Sequence, residues 1–337
     1  MTRYYLALLI TLSLVACGED PVLPPASPLA VDSGKIDALY GALPGPYRVS
    51  THEGISLPGA SGRQMSVSLH FPARGSSFPL LLFSHGNWSN QASYDRIIHY
   101  WVSHGYVVVS TDHADCCSPV QGIFNSLRYG QLGLITRRIE DLEALLAGIP
   151  ALEQQVHEFV GKADRDRVAA TGHSFGAFSA QQLGGGSAMD PDTGQYHYQV
   201  NPAISAVVAI SPPGPMFDTI TAESWRGLEL PTLVTTGTWD VQKGFWEQYQ
   251  DHLLSWENSP AGNKYALVIE GADHYLGNLI CRTEREAQPQ EDALRMVQLT
   301  TLAFLDAELK NIAGARALLD GDLLSATTGG FARLSRR

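Results

Sequence analysis

Apolar residues along the chain fall into short continuous runs separated by longer stretches of mixed polarity. The runs PLLLFS at 79–84 and YVVVST at 106–111 predict strands buried on both faces, and the alternation at 63–73 predicts a half-exposed strand. Apolar residues recur at helical spacing at 294–309, which predicts a helix near the end of the chain. Further strands are predicted at 47–57, 168–171, 204–210, 232–236 and 265–269, and further helices at 94–104, 139–146, 152–160, 177–183 and 245–256.

Buried strands that alternate with helices indicate an α/β domain. The predicted architecture is a mostly parallel, doubly wound sheet of about eight strands with helices on both faces. The segment 212–230 is short, so no large lid is expected there. Sheets of this kind bind their ligands beyond the carboxyl ends of the strands. We therefore expect the functional residues in the loops that follow the strands.

One of these loops contains the motif GHSFG at 172–176, between the strand 168–171 and the helix 177–183. A Gly-x-Ser-x-Gly sequence between a strand and a helix is typical of a nucleophile elbow, a sharp turn that exposes the serine hydroxyl. Glycines flank the serine because so tight a turn leaves no space for a Cβ atom. The motif predicts that Ser174 is a nucleophile.

A serine nucleophile requires a histidine base and a carboxylate that orients the histidine. In this architecture the three residues follow one another in the order Ser, Asp or Glu, His. Asp240 follows the strand 232–236, and His274 follows the strand 265–269, which meets that order. We predict that His274 is the base and Asp240 the acid, with Asp218 as the alternative acid.

Acyl transfer also requires hydrogen-bond donors for the oxyanion that develops on the substrate carbonyl. One predicted donor is the backbone N–H of Phe175, directly after the nucleophile. The second is the backbone N–H of Asn87, in the loop SHGNW that begins at the end of the strand 79–84. Trp88 and Trp239 adjoin these loops and are candidates for the wall of the substrate pocket.

The N-terminus has the features of an export signal. A short basic start is followed by an apolar run at 4–15 that ends in LVAC, which resembles the lipobox of bacterial lipoproteins. The expected division is a signal peptide at 1–16, a lipidated Cys17 with a Pro-rich tether at 17–45, a catalytic domain at 46–320 and a C-terminal tail at 321–337. We therefore expect an exported protein of the bacterial cell envelope that is bound to a membrane through Cys17. The alternative is a plain signal peptide and a periplasmic or secreted protein.

Cleavage before Cys17 would leave three cysteines, Cys116, Cys117 and Cys281. Export into an oxidising compartment favours a disulfide. The preferred pair joins Cys117, or its neighbour Cys116, to Cys281, since both segments are expected at the same edge of the sheet. A bond between Cys116 and Cys117 remains the alternative.

Composition narrows the function classes. The chain has 337 residues, of which 44% are hydrophobic and 17% charged, and this fits one large α/β domain. The net charge is −11 and no basic patch occurs, so nucleic acid is not an expected partner. The cysteine and histidine spacing resembles no zinc module, and we expect neither a metal nor a cofactor.

The motifs PLLLFSHGN, HGYVVVSTDH, GHSFGA, GTWD and GADH follow one another as in serine α/β-hydrolases. From about residue 47 to the closing helix, the chain resembles bacterial dienelactone-hydrolase-like esterases, relatives of platelet-activating-factor acetylhydrolase, and polyester hydrolases. The resemblance implies the α/β-hydrolase fold. It also implies roles for five residues: Ser174 as nucleophile, His274 as base, Asp240 as acid, and Asn87 and Phe175 as oxyanion donors. True dienelactone hydrolases use a cysteine nucleophile, so their substrate is not expected here.

Together these observations predict a carboxylic ester hydrolase that acts through an acyl-enzyme on short-chain acyl esters. A polyester hydrolase and a peptidase or amidase are alternatives that would use the same triad. A catalytically inactive surface binding protein on a hydrolase scaffold is an alternative of a different class. The expected partner is a small-molecule or polymeric ester.

Overall fold

The predicted buried strands lie side by side at the centre of one sheet. The computed structural model describes residues 29–30, 33–59, 62–215 and 217–337, so the predicted signal peptide and Cys17 lie outside the described residues. Within the described ranges, nine strands form one sheet in the order β1-β2-β4-β3-β5-β6-β7-β8-β9. In chain order they are β1 (Val49–Pro58), β2 (Gln64–Pro72), β3 (Phe78–Ser84), β4 (Val107–Thr111), β5 (Ala163–His173), β6 (Ile204–Ile210), β7 (Thr232–Gly237), β8 (Lys264–Ile269) and β9 (Ala332–Arg336).

Strands β3 to β8 run parallel to one another, and β1, β2 and β9 are antiparallel to their neighbours. Every residue of β3 and β4 is buried, as their continuous apolar runs predict. Because the central strands are parallel, their carboxyl ends meet at one edge of the sheet. There Ser84 is paired with Gly172, and Gly237 with Ile269. The loops that carry the predicted site residues therefore begin at the same edge.

Helices cover both faces of the sheet, and an apolar core lies under each layer. The described residues contain α1 (Ser33–Asp37), α2 (Asp95–Ser103), α3 (Pro119–Ala147), α4 (Ile149–Gln155), α5 (Phe175–Leu183), α6 (Leu254–Asn258), α7 (Glu291–Leu309), α8 (Ala313–Asp320) and α9 (Leu323–Thr327). Helices α2 and α7 pack on one face, and α3, α4 and α5 pack on the other. This arrangement confirms the predicted α/β class and the mostly parallel sheet, with nine strands rather than about eight.

Three predicted helices differ clearly from the structure in their bounds. The helix predicted at 152–160 is α4, which begins at Ile149 and ends at Gln155, followed by a 3-10 helix (His157–Phe159). The helix predicted at 139–146 is the end of α3, which begins at Pro119 and bends at Gly130, where φ is 69°. Glycines at 122, 130 and 133 obscured the first half of this helix in the sequence, because glycine disfavours helix. The helix predicted at 245–256 begins later, with a short 3-10 helix (Tyr249–Leu253) that leads into α6.

The predicted domain bounds also require correction at both ends. Residues 321–337 are not a tail, because they form α9 and the edge strand β9, which pairs with β8. The predicted tether at 17–45 is too long, since Ile36, Leu39 and Ala42 belong to the core under α2 and α7. In the part of the chain that the structure describes, no helix combines the length and the apolar character that crossing a bilayer requires.

Candidate active site

Ser174 lies in the tight turn between β5 and α5. Its φ of 55° and ψ of −126° are strained for a residue that carries a side chain. Close packing of the turn against the end of β3 explains the glycines on either side of Ser174. A Cβ atom on Gly176 would overlap the carbonyl oxygen of Ser84, and one on Gly172 would overlap the carbonyl of Gly176. The turn therefore requires glycine on both sides, and the Ser174 side chain stands at its apex, 8% exposed.

Hydrogen bonds connect Ser174 to His274, and His274 to Asp240. His274 Nε2 lies 2.9 Å from Ser174 Oγ, and His274 Nδ1 lies 2.7 Å from Asp240 Oδ1. Asp240 Oδ2 accepts a hydrogen bond from Thr236 at 2.9 Å. The alternative acid, Asp218, is exposed. The structure thus brings together the serine, histidine and aspartate that the sequence analysis selected.

The electrostatic setting of Asp240 keeps its carboxyl ionised. The side chain is fully buried, and burial alone would raise its pKa. Two neighbouring imidazoles, those of His252 and His274, and their hydrogen bonds outweigh burial and hold the pKa of Asp240 well below its usual range. An ionised carboxylate at this position can fix the ring of His274 with its Nδ1 proton toward Asp240, which leaves Nε2 free to accept the serine proton.

The two predicted oxyanion donors lie on loops at the same edge. Phe175 is the first residue of α5, so its N–H has no partner within the helix. Asn87 lies in the turn after β3. No described residue accepts a hydrogen bond from either amide. Both N–H groups are therefore available to a ligand.

A buried ion pair supports these two loops. Arg138 of α3 donates Nε and Nη2 to the Asp115 carboxylate at 3.0 Å and 2.6 Å, and Nη1 to the carbonyl oxygen of His85 at 2.6 Å. The guanidinium also lies over the ring of Phe175, 4.7 Å from its centroid. Burial would raise the pKa of Asp115, but the charge and hydrogen bonds of Arg138 lower it to about 2. The pair thus ties the loop before Asn87 to the start of α5.

A second buried chain of hydrogen bonds joins the loop after β3 to the loop that carries His274. The N–H of Gly86 donates to the Tyr94 hydroxyl at 2.8 Å, and this hydroxyl lies 2.9 Å from His173 Nδ1. His173 Nε2 lies 2.9 Å from the carbonyl oxygen of His274. Because a carbonyl only accepts, His173 carries its proton on Nε2 and accepts from Tyr94 on Nδ1. Burial holds the pKa of His173 well below its ordinary value, which is consistent with this neutral ring.

The cysteines pair differently from the preferred prediction. Cys116 and Cys117 form a disulfide with each other, and Cys281 is a buried free thiol. The predicted Cys117–Cys281 pair is therefore wrong, and the vicinal alternative is the one that the structure contains. Cys281 belongs to the core under α2 and α7, with its sulfur close to Gly86, whereas Cys116 and Cys117 lie between β4 and α3.

The two predicted pocket residues adjoin the site. Trp88, with φ of 60°, packs directly against Gly122 of α3, where any Cβ atom would overlap the indole. Trp239 is partly buried, and its backbone N–H donates to the carbonyl oxygen of Ala272 at 3.0 Å. These contacts place both side chains beside the loops of Asn87 and Asp240, and their contact with substrate stays a prediction.

Sequence reasoning did not select Arg138, Tyr94 or His252. One signal was present for Arg138: it shares the buried face of α3 with Leu134 and Leu142. A charged residue at an apolar position of an amphipathic helix indicates a buried partner. Nothing local distinguished Tyr94 or His252, because the residues that they contact come from distant parts of the chain.

Comparison with known protein families gives a match to part of the chain. The model of the chlorophyllase family matches residues 56–215, a segment that contains Asn87 and Ser174 and ends before Asp240. No curated protein matches the chain at a significant level. The chlorophyllase family consists of α/β-hydrolase-type esterases, and the nine-stranded sheet with helices on both faces is consistent with that fold. The segment 56–215 is thus similar to chlorophyllases, and this similarity implies an ester hydrolase.

Proposed function

We propose that this protein is a serine carboxylic ester hydrolase that forms an acyl-enzyme on Ser174. The observation that carries the proposal is the pair of hydrogen bonds at 2.9 Å and 2.7 Å from Ser174 through His274 to Asp240. The strained backbone at the nucleophile and the two unpaired amides of Asn87 and Phe175 support it. The match to an esterase family supports the reaction class.

The geometry leads to a two-step reaction. His274 Nε2 accepts the proton of Ser174 as Oγ attacks the ester carbonyl, and the amides of Asn87 and Phe175 donate to the oxyanion. The tetrahedral intermediate collapses, and His274 gives its proton to the departing alkoxide, which leaves as the alcohol. Water then attacks the acyl-enzyme with His274 again as base, and this step releases the carboxylic acid and restores Ser174.

The direct test is Ser174→Ala, assayed with p-nitrophenyl esters from acetyl to palmitoyl. We expect turnover of short-chain esters by the wild type and a loss of about 10⁴- to 10⁶-fold in the variant, because the triad acts as a unit. Ser325→Ala, which changes a partly buried serine of α9, is the matched control and should retain full turnover. Retention of more than a hundredth of wild-type turnover by Ser174→Ala contradicts the assignment, and a folded wild type without activity on the panel contradicts the esterase.

A second candidate, a polyester hydrolase with the same triad, is favoured by an exposed apolar stripe on the first half of α3. Its four residues, spaced as on one helix face, are Val120, Ile123, Phe124 and Leu127. Three of them are more than 60% exposed, and residues 118–127 carry no charge. Trp88 packs against Gly122 on the buried side of the same helix, so the helix that carries the stripe lies against the Asn87 loop. An apolar face beside the site suits an ester presented by a water-insoluble polymer.

The two candidates separate in an assay that compares a soluble and an insoluble ester. In the double variant Phe124→Ser with Leu127→Ser, we expect a loss of about fivefold on polyester nanoparticles and unchanged turnover of p-nitrophenyl acetate, because about 1 kcal/mol of apolar contact with the polymer is removed. Leu323→Ser, another exposed leucine that lies on α9, is the matched control. Equal effects on both substrates, or no effect on the polymer, contradict the polyester candidate and leave the short-chain esterase.

A further inference from the structure

His252 is a buried histidine that the mechanism above does not use. It lies in the 3-10 helix before α6 and is 1% exposed. Its Nδ1 lies 2.7 Å from the carbonyl oxygen of Pro212. Its Nε2 lies 3.0 Å from the carbonyl oxygen of Asp240 and 2.9 Å from Asp240 Oδ1. Each ring nitrogen therefore faces oxygen atoms of the protein at hydrogen-bond distance.

These partners determine the protonation state of the ring. Carbonyl oxygens and an ionised carboxylate can only accept hydrogen bonds, so both nitrogens of His252 must donate. A histidine that donates from both nitrogens is an imidazolium. Burial would lower the pKa of His252, but the charge and hydrogen bond of Asp240, with further bonds to backbone carbonyls, raise it above the ordinary value. The hydrogen-bond pattern and the electrostatics thus agree.

The same carboxylate oxygen serves two imidazoles. Asp240 Oδ1 lies 2.9 Å from His252 Nε2 and 2.7 Å from His274 Nδ1, and the two ring centroids are 5.7 Å apart. Trp246 covers both rings, with its own ring 4.9 Å from His252 and 5.4 Å from His274. The single negative charge of Asp240 is therefore already balanced by His252 before His274 accepts a proton.

We propose that His252 is a positioning residue, held as an imidazolium, that fixes the carboxylate of Asp240 and disfavours a second positive charge on His274. This inference rests on the proposed function. Among the described residues, the titratable groups around His252 are Asp240, His274 and His173, and the last is neutral. The consequence is that a proton on His274 would place a second positive charge beside the first, with the two ring centroids 5.7 Å apart and a single carboxylate oxygen between them.

The charge on His252 can be measured without any substrate. In the purified protein labelled with ¹⁵N-histidine, NMR should show two nitrogen-bound ring protons on one buried histidine between pH 6 and pH 8. The signals are assigned to His252 by their absence in His252→Gln. A single nitrogen-bound proton on His252 in this range overturns the proposal, whatever the protein catalyses.

The effect on the base is measured by the rate at which a fluorophosphonate labels Ser174, because this reaction needs the base but no natural substrate. His252→Gln removes a positive charge from a ring whose centroid lies 5.7 Å from that of His274. We expect the acidic limb of the pH–rate profile to shift upward by about one pH unit, so that labelling is roughly tenfold slower near pH 5. His70→Gln, which replaces a buried neutral histidine of β2, is the matched control and should leave the limb in place.

The outcomes separate the two proposals. An unmoved acidic limb in a folded His252→Gln protein overturns the inference and leaves the esterase intact. Absence of labelling in the wild type at every pH contradicts the proposed function, while the NMR result still decides the charge on His252. If His252→Gln does not fold, the ring protons of the wild type, assigned by nuclear Overhauser contacts to Trp246, remain the deciding measurement.

Discussion

At the scale of single residues, the candidate site depends on a small number of buried polar groups whose partners are all present. Asp240 illustrates this: its two carboxylate oxygens accept from His274, His252 and Thr236. A buried carboxylate with three donors is held in one orientation, and it can hold the tautomer of His274 in turn. The exposed Asp218 has no such environment.

We expect Asp240→Asn to lower turnover of p-nitrophenyl acetate by about 10⁴-fold, since an amide at this position favours the wrong tautomer of His274. Asp218→Asn, the matched change at the alternative acid, should stay within twofold of wild type. Steady-state kinetics of both variants distinguish the two carboxylates. Loss of activity in Asp218→Asn alone would place the acid after β6 rather than after β7.

At the scale of elements, the elbow joins three parts of the sheet. The turn between β5 and α5 presses against the end of β3, and its glycines leave space only for hydrogen at their Cα atoms. The strained φ of Ser174 is maintained because its N–H donates to the carbonyl oxygen of Ile210 in β6 at 2.9 Å. Packing between neighbouring strands therefore stabilises a backbone conformation that a short peptide would avoid.

Gly176→Ala should lower the free energy of unfolding by about 3 kcal/mol or more, because the added methyl group overlaps the backbone of Ser84. Gly133→Ala is the matched control: it lies within α3, its Cβ would meet only an ordinary contact with Tyr129, and it should raise stability by about 0.5–1 kcal/mol. Urea unfolding at pH 7 measures both. Equal stability of the two variants contradicts the contact at the elbow.

At the scale of the whole molecule, several histidines are buried as neutral rings. Burial lowers the pKa of His70 to about 4 and lowers those of His85, His113 and His173 as well. An unfolded chain would protonate these rings below about pH 6.5, whereas the folded chain takes up the same protons only at lower pH. The unfolded state therefore binds more protons in this range, and stability must fall with decreasing pH.

We expect the free energy of unfolding to fall steeply between pH 6.5 and pH 5, by about 1.4 kcal/mol per pH unit for each histidine that stays neutral in the fold. The pKa of His252 is raised, so its stabilisation is complete below pH 6.5 and does not oppose this loss. In His70→Gln the slope should be smaller by about 1.4 kcal/mol per pH unit. Urea unfolding at four pH values tests this, and parallel curves for wild type and variant would contradict the assignment of His70 as a neutral buried ring.

The local pattern of apolar and polar residues was sufficient to predict most of the fold. Continuous, mainly apolar runs predicted β3 and β4 to within one residue, because a strand buried on both faces has no solvent-exposed position. The order of Ser174, Asp240 and His274 after successive strands predicted which side chains the parallel sheet would bring to one edge. Each of these inferences used only neighbouring residues and the geometry of a parallel sheet.

The features that the sequence did not predict were decided by contacts between distant parts of the chain. The edge strand β9 has little apolar character of its own and exists because β8 offers it a partner. The burial of Cys281 as a free thiol in the core under α2 and α7, rather than in a disulfide with Cys117, was decided by packing between distant segments. The second imidazole on Asp240 comes from a 3-10 helix whose sequence carries no motif. The sequence by itself thus determined the parallel sheet, the elbow and the candidate triad. Only the tertiary structure decided which charged groups are buried around the triad, because the burial of a side chain and its hydrogen-bond partners depend on the whole fold.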